Sequence, residues 1–228
     1  DMLKAVSTLN SLRRLGFIES EFKSADFERL ASLPHLRELA IMDSSIDEDI
    51  RHLDKLHALE TLVLFNVPFT DEGCEQFCGL SRLKLLRVNG TTISDAGLRH
   101  LAGLHNLEFL SLQGEPITDD ALMHFAELHQ LETLYLNYTK MSDDGLVHLE
   151  GLEKLQWLDI SGTQVSDAGL KQIAAIKSLR YLSLYGSKVS ADGVATVRNL
   201  NDLGPDFNES KQTVINALDD MFASYNAE

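Results

Sequence analysis

The feature that most constrains the fold is a leucine that recurs at an almost constant spacing along the chain. It stands at positions 12, 36, 59, 83, 107, 131, 155 and 179, so the spacing is 24 residues except for 23 residues between Leu36 and Leu59. Each leucine opens a similar phrase, as in LETLYLNYTKMSDDGLVHLEGLEK from 131 and LQWLDISGTQVSDAGLKQIAAIKS from 155. Self-similarity at this period predicts a stack of equivalent units, each packed only against its neighbours.

The first half of each phrase predicts a short β-strand. Leu131, Leu134 and Leu136 place apolar side chains on one face near the end of a strand, so residues 133, 135 and 137 point to the other face. An apolar residue then follows in each repeat, and it should also face inward: Ile93, Ile117, Met141, Val165 and Val189. One repeat cannot bury these side chains alone, but stacked neighbours share a continuous core.

The second half of each phrase predicts a short α or 3₁₀ segment, because leucines such as Leu146, Leu149 and Leu152 are spaced three apart. A hydroxyl residue precedes this segment and is expected to cap its free N–H groups: Ser94, Thr118, Ser142, Ser166 and Ser190. An acidic residue follows in the first turn, where the helix dipole favours negative charge: Asp95, Asp119, Asp143 and Asp167. A second hydroxyl column is expected to bond the turn after the strand: Thr91, Thr139, Thr163 and Ser187.

The shared phrase T-x-[IV]-[ST]-D-[AD]-G-L-x-x-L resembles the 24-residue leucine-rich repeats that are abundant in bacterial genomes. The resemblance covers roughly residues 1–203 and is strongest from Leu83 to Leu200. It is weaker in the first repeat, where Phe17, Phe22 and Phe27 replace aliphatic residues, and in the second, which lacks the Gly-Leu pair. It implies an α/β fold, a right-handed, curved leucine-rich-repeat solenoid with a parallel β-sheet on the concave face and short α/3₁₀ helices on the convex face. It also implies a protein-binding role, by analogy.

Three segments are predicted along the chain. Residues 1–11 fit the second half of a repeat, with Leu3, Val6 and Leu9 in its core columns, so they form either an amino-terminal cap or the remainder of a repeat whose upstream residues are missing. We favour the second alternative, because a natural cap departs from the repeat pattern. Residues 12–203 form eight repeats. Gly204-Pro205 then breaks the pattern, and 204–228 predict a capping helix; the alternative is a helix that docks into a partner chain.

Charge and composition exclude some partners. The net charge is −15, so binding to nucleic acid or to an anionic membrane is disfavoured. No apolar run approaches the ~20 residues of a transmembrane helix, and no signal-peptide pattern is present. Cys74 and Cys78 are interpreted as small buried side chains of one helix rather than a redox pair, and so few cysteines are compatible with a reducing cytosol without requiring it.

Two repeated columns invite a metal interpretation that we do not adopt. His52, His100, His124 and His148 share one column, which is predicted to be exposed, and His105 and His129 share another. Zinc needs converging ligands and a second shell, and the aspartate column is explained by capping without calcium. No nucleophile, metalloprotease, P-loop or dinucleotide motif appears, so no catalytic, metal-binding or cofactor-binding residue is predicted.

The concave face carries the predicted partner site. The early repeats offer a mixed set at its outward positions: Arg14, Glu38, Val63, Phe65, Leu85 and Arg87. The later repeats offer aromatic residues: Phe109, Tyr135, Tyr138, Trp157, Tyr181 and Tyr185. Tyrosine and tryptophan dominate binding hot spots, and Asp159 among them is placed to accept a basic side chain. The alternative is that these aromatics merely cover the strand surface and each other.

The predicted function is therefore a non-catalytic scaffold that binds a protein or peptide with some positive charge on its concave face. A carbohydrate-binding surface is the first alternative, with Trp157 and the tyrosines stacking on sugar rings while Asp159 and Asn137 bond hydroxyls. A structural spacer within a larger protein is the second.

Overall fold

The structure is a computed structural model that describes residue 6 and residues 8–46 and 51–196. Its strands are β1 Arg14–Ile18, β2 Glu21–Phe22, β3 Glu38–Met42, β4 Ser45–Ile46, β5 Thr61–Phe65, β6 Leu85–Asn89, β7 Phe109–Ser111, β8 Thr133–Tyr135, β9 Trp157–Asp159 and β10 Tyr181–Ser183. Its α-helices are α1 Ser24–Leu30, α2 Asp71–Cys74, α3 Asp95–Leu98, α4 Asp119–Leu122, α5 Asp167–Ile173 and α6 Ala191–Thr196. Its 3₁₀ segments are Leu53–Lys55, Glu75–Gly79, Arg99–Gly103, Met123–Phe125 and Asp144–Leu149.

One parallel sheet runs through the described part of the stack. It contains eight strands in the order β1-β3-β5-β6-β7-β8-β9-β10, and β2 and β4 form a separate two-stranded sheet. Each strand pairs in register with the equivalent strand of the next repeat, for example Leu86 with Leu110 and Leu110 with Leu134. The strand, the turn and the helical segment alternate as the sequence predicted, and the α/β solenoid class is confirmed.

The sheet divides into two halves by strand length. The early half (β1, β3, β5 and β6) has strands of five residues, whereas the late half (β7 to β10) has strands of three. In the late half, a hydroxyl closes a turn on the carbonyl three residues before it: Thr139 Oγ1 donates to Leu136 O at 2.7 Å and Thr163 Oγ1 to Ile160 O at 2.6 Å. Thr91, after the long strand β6, donates its hydroxyl to Glu115 instead.

The inward columns form a continuous core, as predicted. Leu131, Leu134 and Leu136 are fully buried, and so are Ile93 and its equivalents down to Val165; Val189 is partly buried. In the early half, aromatic rings share this core: Phe17 meets Phe22 edge-on at 4.8 Å between ring centroids, and Phe69 stacks on Phe77 at 5.4 Å. These rings occupy core positions that aliphatic side chains occupy in the other repeats.

The aspartate column does more than complement helix dipoles. The hydroxyls cap their own helices as expected, since Ser94 and Ser166 accept the N–H of Ala96 and Ala168, respectively. Each aspartate, however, binds the hydroxyl residue of the next repeat. Asp143 accepts the Ser166 N–H at 2.8 Å and the Ser166 hydroxyl at 2.5 Å. The same pair of bonds joins Asp71 to Ser94, Asp95 to Thr118, Asp119 to Ser142 and Asp167 to Ser190. We call this series the aspartate relay.

The relay also accounts for the glycine that stands three residues after the cap in four of its five links, at Gly97, Gly145, Gly169 and Gly193; after Thr118 the equivalent residue is Ala121. A Cβ at Gly169 would lie 2.3 Å from Asp143 Oδ1, and one at Gly145 would lie 2.5 Å from Asp119 Oδ1. The Gly169 N–H also donates to Asp143 Oδ1 at 3.0 Å. The carboxylate of one repeat thus occupies the space where a side chain of the next repeat would stand.

The structure contradicts the sequence predictions for Leu9 and Cys78. Leu9 is 50% exposed rather than in the core, whereas Val6 packs partly against the core. Cys74 is buried as predicted, but Cys78 is exposed. The pair is four apart, which suits one face of an α-helix, yet α2 ends at Cys74 and three-residue turns follow. The helix predicted over 204–228 lies outside the described residues, as does Leu3.

Candidate functional site

The outward side chains of the sheet form columns that cross the strands. The register aligns Leu85, Phe109, Thr133, Trp157 and Tyr181 in a first column. A second column, one pleat further along each strand, contains Arg87, Ser111, Tyr135, Asp159 and Ser183. Side chains of neighbouring strands in one column are about 4.8 Å apart at the backbone, so they contact one another directly.

Four rings of the late half contact one another in sequence, and we call them the aromatic ladder. Phe109 lies 5.5 Å from Tyr135, Tyr135 lies 6.1 Å from Trp157, and Trp157 stacks on Tyr181 at 3.7 Å with an angle of 27° between the ring planes. Phe109 is 9% exposed, and the other three rings are half-buried. The structure therefore brings together four of the residues that the sequence assigned to the partner site.

Tyr135 is what makes the ladder continuous. The first column holds Thr133 between Phe109 and Trp157, so the rings of that column alone would leave a gap. Tyr135 belongs to the second column and reaches diagonally across to both rings. Burial, followed by the charges of Asp159 and Tyr181, raises the pKa of the Tyr135 hydroxyl to about 12, while Arg87 acts in the opposite direction. Tyr135 therefore keeps its proton at neutral pH and can donate a hydrogen bond.

Two charged side chains of the second column lie on either side of Tyr135. Asp159 is half-buried, and its Oδ1 accepts the Ser161 N–H at 2.9 Å. Arg87 is half-buried, and its Nε donates to Asn89 Oδ1 at 3.3 Å. Burial lowers the pKa of the Arg87 guanidinium, an effect that Tyr135 partly opposes, but an arginine stays charged at any physiological pH.

Amide side chains of the third outward column surround these groups. Asn89 is buried, and its Oδ1 accepts from both Arg87 and the Ser111 hydroxyl while its Nδ2 donates to Gln113 O at 3.1 Å. Asn137 is 7% exposed, and its Oδ1 is buried without a hydrogen-bond partner. A buried amide oxygen without a partner is costly, which makes Asn137 a group that a ligand would satisfy.

The two remaining predicted site residues lie at the rim. Tyr185 is 83% exposed and Tyr138 is 58% exposed, and neither makes a ring contact among the described residues. Tyr138 occupies the turn after β8, where every repeat has a positive φ; the equivalent residues include Gly90, Gly114, Gly162 and Gly186. At φ 61° a tyrosine is strained where the neighbouring repeats carry glycine. Its ring lies over Gly162, since a Cβ there would lie 2.5 Å from Tyr138 Cδ1.

The early half of the concave face is mixed, as the sequence predicted, around an aliphatic centre. Val63 and Ala40 are buried there in a small cluster of their own, with Phe65 and Leu85 packed against it. The charges that the sequence placed nearby are neutralised: Arg14 pairs with Glu38 at 2.9 Å, and Arg37 pairs with Glu60 at 2.6 Å. On this half of the face, Phe65 is an aromatic ring packed against that cluster, and Arg87 on β6 has no carboxylate partner among the described residues.

The metal and membrane hypotheses receive no support from the described ranges. His100, His124 and His148 are half-buried, not exposed as predicted, and no three His, Cys, Asp or Glu side chains among the described residues converge to hold a metal ion. Burial raises the pKa of the Cys74 thiol, which keeps it protonated and unreactive. None of the helices in the described ranges has the length and apolar character needed to cross a membrane.

Sequence reasoning missed one buried acid beside the site. Glu115 is 1% exposed, and its carboxylate accepts the Thr91 N–H and the Thr91 hydroxyl, both at 3.0 Å. Burial raises the pKa of the Glu115 carboxyl, and the bonds from Thr91 oppose that rise. The signal was present in the sequence, because position 115 interrupts the hydroxyl column of Thr91, Thr139 and Thr163.

Comparisons with known proteins agree with the fold. The family model for a leucine-rich repeat region matches residues 1–221. The chain therefore belongs to the leucine-rich-repeat family. Such proteins are typically scaffolds that bind other proteins and are generally not enzymes. No curated protein matches the sequence.

Solved structures with the same fold include two internalins from Listeria monocytogenes. The internalin InlF is 24% identical with a TM-score of 0.66, over 80% of this chain and 50% of that one. The internalin C2 is 25% identical with a TM-score of 0.62, over 77% of this chain and 80% of that one. The plant peptide hormone receptor RGFR1, solved in complex with RGF2, is 13% identical with a TM-score of 0.53, over 86% of this chain and 36% of that one. This chain thus spans half of the InlF chain and about a third of the RGFR1 chain.

Proposed function

We propose that this chain is a non-catalytic scaffold that binds a protein or peptide on the late half of its concave face, with the aromatic ladder as the anchor. The observation that carries the proposal is the ladder itself: four rings in continuous contact on the outer side of a sheet whose inner columns are already filled by leucine and isoleucine. Packing of the core does not require them. Rigid aromatic side chains with a polar edge are the residues that contribute most to interfaces.

The position and surroundings of the ladder support this proposal. It crosses strands β7 to β10, a width of about 15 Å at the usual strand spacing, which is enough for the centre of a standard interface. Polar groups frame it, with Asp159 and Arg87 beside Tyr135 and the exposed Tyr138 and Tyr185 at the rim. An apolar centre with a polar rim is the usual anatomy of a binding surface. The RGFR1 complex provides an example of a peptide hormone receptor with this fold.

The ladder geometry favours a protein over a sugar. Sugar rings bind on the open face of an aromatic ring, but here Trp157 stacks on Tyr181 at 3.7 Å and lies 6.1 Å from Tyr135. One face of the tryptophan is therefore covered by a neighbouring ring, which disfavours stacking of a sugar on that face. Soluble glycans that change the fluorescence of Trp157 would support the sugar alternative.

The experiment compares two double variants of the same chain. Trp157→Ala/Tyr181→Ala removes half of the ladder, and Met123→Ala/Val147→Ala removes two apolar side chains that are 50% and 48% exposed on the helical side. Each variant and the parent are checked by circular dichroism and used as bait in pull-downs from the source organism's lysate. The captured partner is then purified, and its Kd for each bait is measured.

The proposal predicts that the ladder variant binds the purified partner at least ~30-fold more weakly, which corresponds to a hot-spot loss of about 2 kcal/mol. The helical-side variant should bind like the parent. A partner that loses affinity for the helical-side variant and keeps it for the folded ladder variant would place the binding surface elsewhere and overturn the proposal.

A further inference from the structure

Two opposite charges flank the aromatic ladder without neutralising each other. Among the described residues, Arg87 has no carboxylate partner and Asp159 has no cationic one. Elsewhere along the sheet, opposite charges do pair: Arg14 with Glu38, and Lys84 with Glu108 at 3.2 Å. A half-buried charge without a counter-ion destabilises the protein. A ligand that places a negative group at Arg87 and a positive group at Asp159 would relieve this destabilisation.

Arg87 is held in place rather than free to swing. Its Nε donates to Asn89 Oδ1, and that oxygen also accepts the Ser111 hydroxyl at 3.2 Å. The amide nitrogen of Asn89 is in turn fixed on Gln113 O. Because the Nε is engaged, the terminal nitrogens of the guanidinium remain to meet a carboxylate side by side. An arginine that is fixed before binding loses less entropy when it binds.

Asn137 adds a second recognition element between the charges. It follows Tyr135 by two residues on the same outward face, and its buried Oδ1 has no partner among the described residues. A primary amide carries both an acceptor oxygen and a donor N–H. That combination matches the N–H and C=O of an extended peptide backbone, which is itself a donor and an acceptor.

The spacing of the charges defines the length of the ligand. Arg87 lies on β6 and Asp159 on β9, so three strand spacings of about 4.8 Å separate them, or roughly 14 Å. An extended peptide advances about 3.3 Å per residue. A carboxylate at Arg87 and an ammonium or guanidinium at Asp159 are therefore about four residues apart along such a peptide.

Resting on the proposed function, we infer that the occupant is an extended peptide segment that crosses the sheet from β6, at the edge of the early half, to β9 in the late half. It carries an acidic side chain at Arg87 and a Lys or Arg side chain at Asp159, about four residues apart, with apolar side chains between them on the aromatic ladder. The Asn137 amide pairs with the backbone of that segment. The inferred ligand therefore carries one negative and one positive side chain at a fixed spacing, rather than positive charge alone.

The test uses four pools of capped synthetic peptides of the form Ac-Gly-Z-X-X-X-B-Gly-NH2, in which X is Leu, Val or Phe. Z is Glu or Gln and B is Lys or Gln, so the pools differ only in their two charges. Trp157 is the only tryptophan of the chain, and its fluorescence reports binding at the ladder. The variants are Arg87→Gln, Asp159→Asn and Asn137→Leu, with Arg14→Gln as a matched control that removes a paired arginine of the same face.

The inference predicts that the parent binds the Glu/Lys pool about tenfold more tightly than either the Gln/Lys or the Glu/Gln pool, since each partly desolvated ion pair contributes about 1.4 kcal/mol. Arg87→Gln should bind the Glu/Lys and Gln/Lys pools equally, and Asp159→Asn should bind the Glu/Lys and Glu/Gln pools equally. Asn137→Leu should weaken all four pools by a similar factor. Arg14→Gln should leave the ranking of the pools as in the parent.

Two outcomes overturn the inference and leave the proposed function separately testable. If all four pools bind the parent equally, the ladder binds peptides but the charges do not select them. If no pool binds while the purified partner still requires Trp157 and Tyr181, the scaffold function stands and its ligand is a folded surface rather than an extended segment. If neither the pools nor any purified partner depends on those two residues, both proposals fail.

Discussion

The early and late halves of the solenoid place most of their aromatic rings on opposite sides of the same sheet; the exceptions are Phe65 on the concave face and Phe125 in the core. In the early half, Phe17, Phe22, Phe27, Phe69 and Phe77 lie in the core, and the concave face is lined by Ala40 and Val63. In the late half, the core columns are mostly leucine, and the rings lie on the concave face. The repeat template fixes only which positions face inward. Ring placement is free to vary between halves, and a ring on the outer side is available for binding.

The halves also differ in how each strand ends, and Glu115 lies at the boundary. In the late half, Thr139, Thr163 and Ser187 close the turn on a strand carbonyl. In the early half, the same column holds Ser20, Ser44, Val67 and Thr91. Ser44 also donates its hydroxyl to a strand carbonyl, Met42 O at 2.6 Å, whereas Thr91 donates its hydroxyl to Glu115. The hydroxyl column therefore does not by itself set the strand length, because β7 is short although its repeat carries Glu115 at this position.

The largest effect is expected from the aspartate relay. Asp143→Ala removes three hydrogen bonds, two from Ser166 and one from the Gly169 N–H, and leaves buried donors without a partner. We expect the free energy of unfolding to fall by about 2–3 kcal/mol in chemical denaturation. Asp144→Ala alters the exposed neighbouring residue and should change stability by less than about 0.5 kcal/mol. If both variants lose the same free energy of unfolding, the hydrogen bonds of the relay make no specific contribution to stability.

A smaller loss is expected from the turn hydroxyl of the late half. Thr163→Val gives the late half the residue type that the early half carries at Val67, and it removes the hydrogen bond to Ile160 O. The cost should be about 1 kcal/mol, the usual value of a buried neutral hydrogen bond. The control is Thr133→Val, whose hydroxyl makes no hydrogen bond among the described residues. If both variants unfold at the same denaturant concentration, the hydroxyl is not what distinguishes the two halves.

A still smaller difference separates two substitutions of Tyr138. The early half places Glu19, Asp43 and Asn66 at the positive-φ turn, whereas the late half uses glycine everywhere but at Tyr138. Tyr138→Gly and Tyr138→Ala both lose the ring, but only alanine keeps the strained backbone. The glycine variant should therefore be more stable by roughly 1 kcal/mol in thermal unfolding. Under the proposed function, both should bind the partner more weakly than the parent; unchanged binding would remove Tyr138 from the site.

The smallest effect is expected for Glu115, at the boundary between the two halves, as a change in the free energy of unfolding with pH. Because the folded-state pKa of Glu115 is raised by burial, the folded state binds its proton more tightly than the unfolded state does. The contribution of Glu115 to stability is therefore highest below its ordinary pKa and declines as the pH rises above about 4.3. Glu115→Gln should lose this decline. Denaturation of both proteins at a series of pH values checks it, and parallel curves would contradict the assignment.

The pH dependence of Asp167 should have the opposite sign. Bonds from the Ser190 hydroxyl and the Ser190 N–H lower its pKa, so its contribution is present above the ordinary pKa of an aspartate and is lost as the pH falls. Asp167→Asn compared with Glu115→Gln thus separates the two kinds of carboxylate in one set of titrations. Asp167 is only partly buried, and its effect is correspondingly reduced by solvent screening.

Much of this structure could be predicted from the sequence because the signals were periodic. The alternation in each phrase gave the inward columns, and the same alternation placed Trp157, Tyr181 and Phe109 on the outer face. Periodicity could not show that Asp143 accepts hydrogen bonds from Ser166. A repeat column predicts which residues lie next to one another, but not which of their atoms form hydrogen bonds. Nor could it show that Tyr135 fills the gap at Thr133, since that contact is diagonal.

Departures from the period were harder to interpret. Glu115 and Tyr138 each interrupt a column, and the structure shows a buried acid at one and a strained exposed ring at the other. The binding role assigned to the ladder, to Asp159 and to the two rim tyrosines stays a prediction. The division into a first half-repeat, eight repeats and a carboxy-terminal capping helix stays one as well.

The aspartate relay gives the solenoid a polarity. Each carboxylate accepts hydrogen bonds from the repeat that follows it. If that following repeat unfolds, the carboxylate is exposed to water, which solvates it readily. Losing a repeat on the amino side removes the acceptor from the next cap and leaves its N–H groups exposed at an open end. Unravelling should thus proceed more easily from the carboxyl side, and hydrogen exchange would reveal it as a gradient of protection that falls along the chain. In the aspartate relay, each repeat therefore stabilises the folded structure of the repeat that follows it.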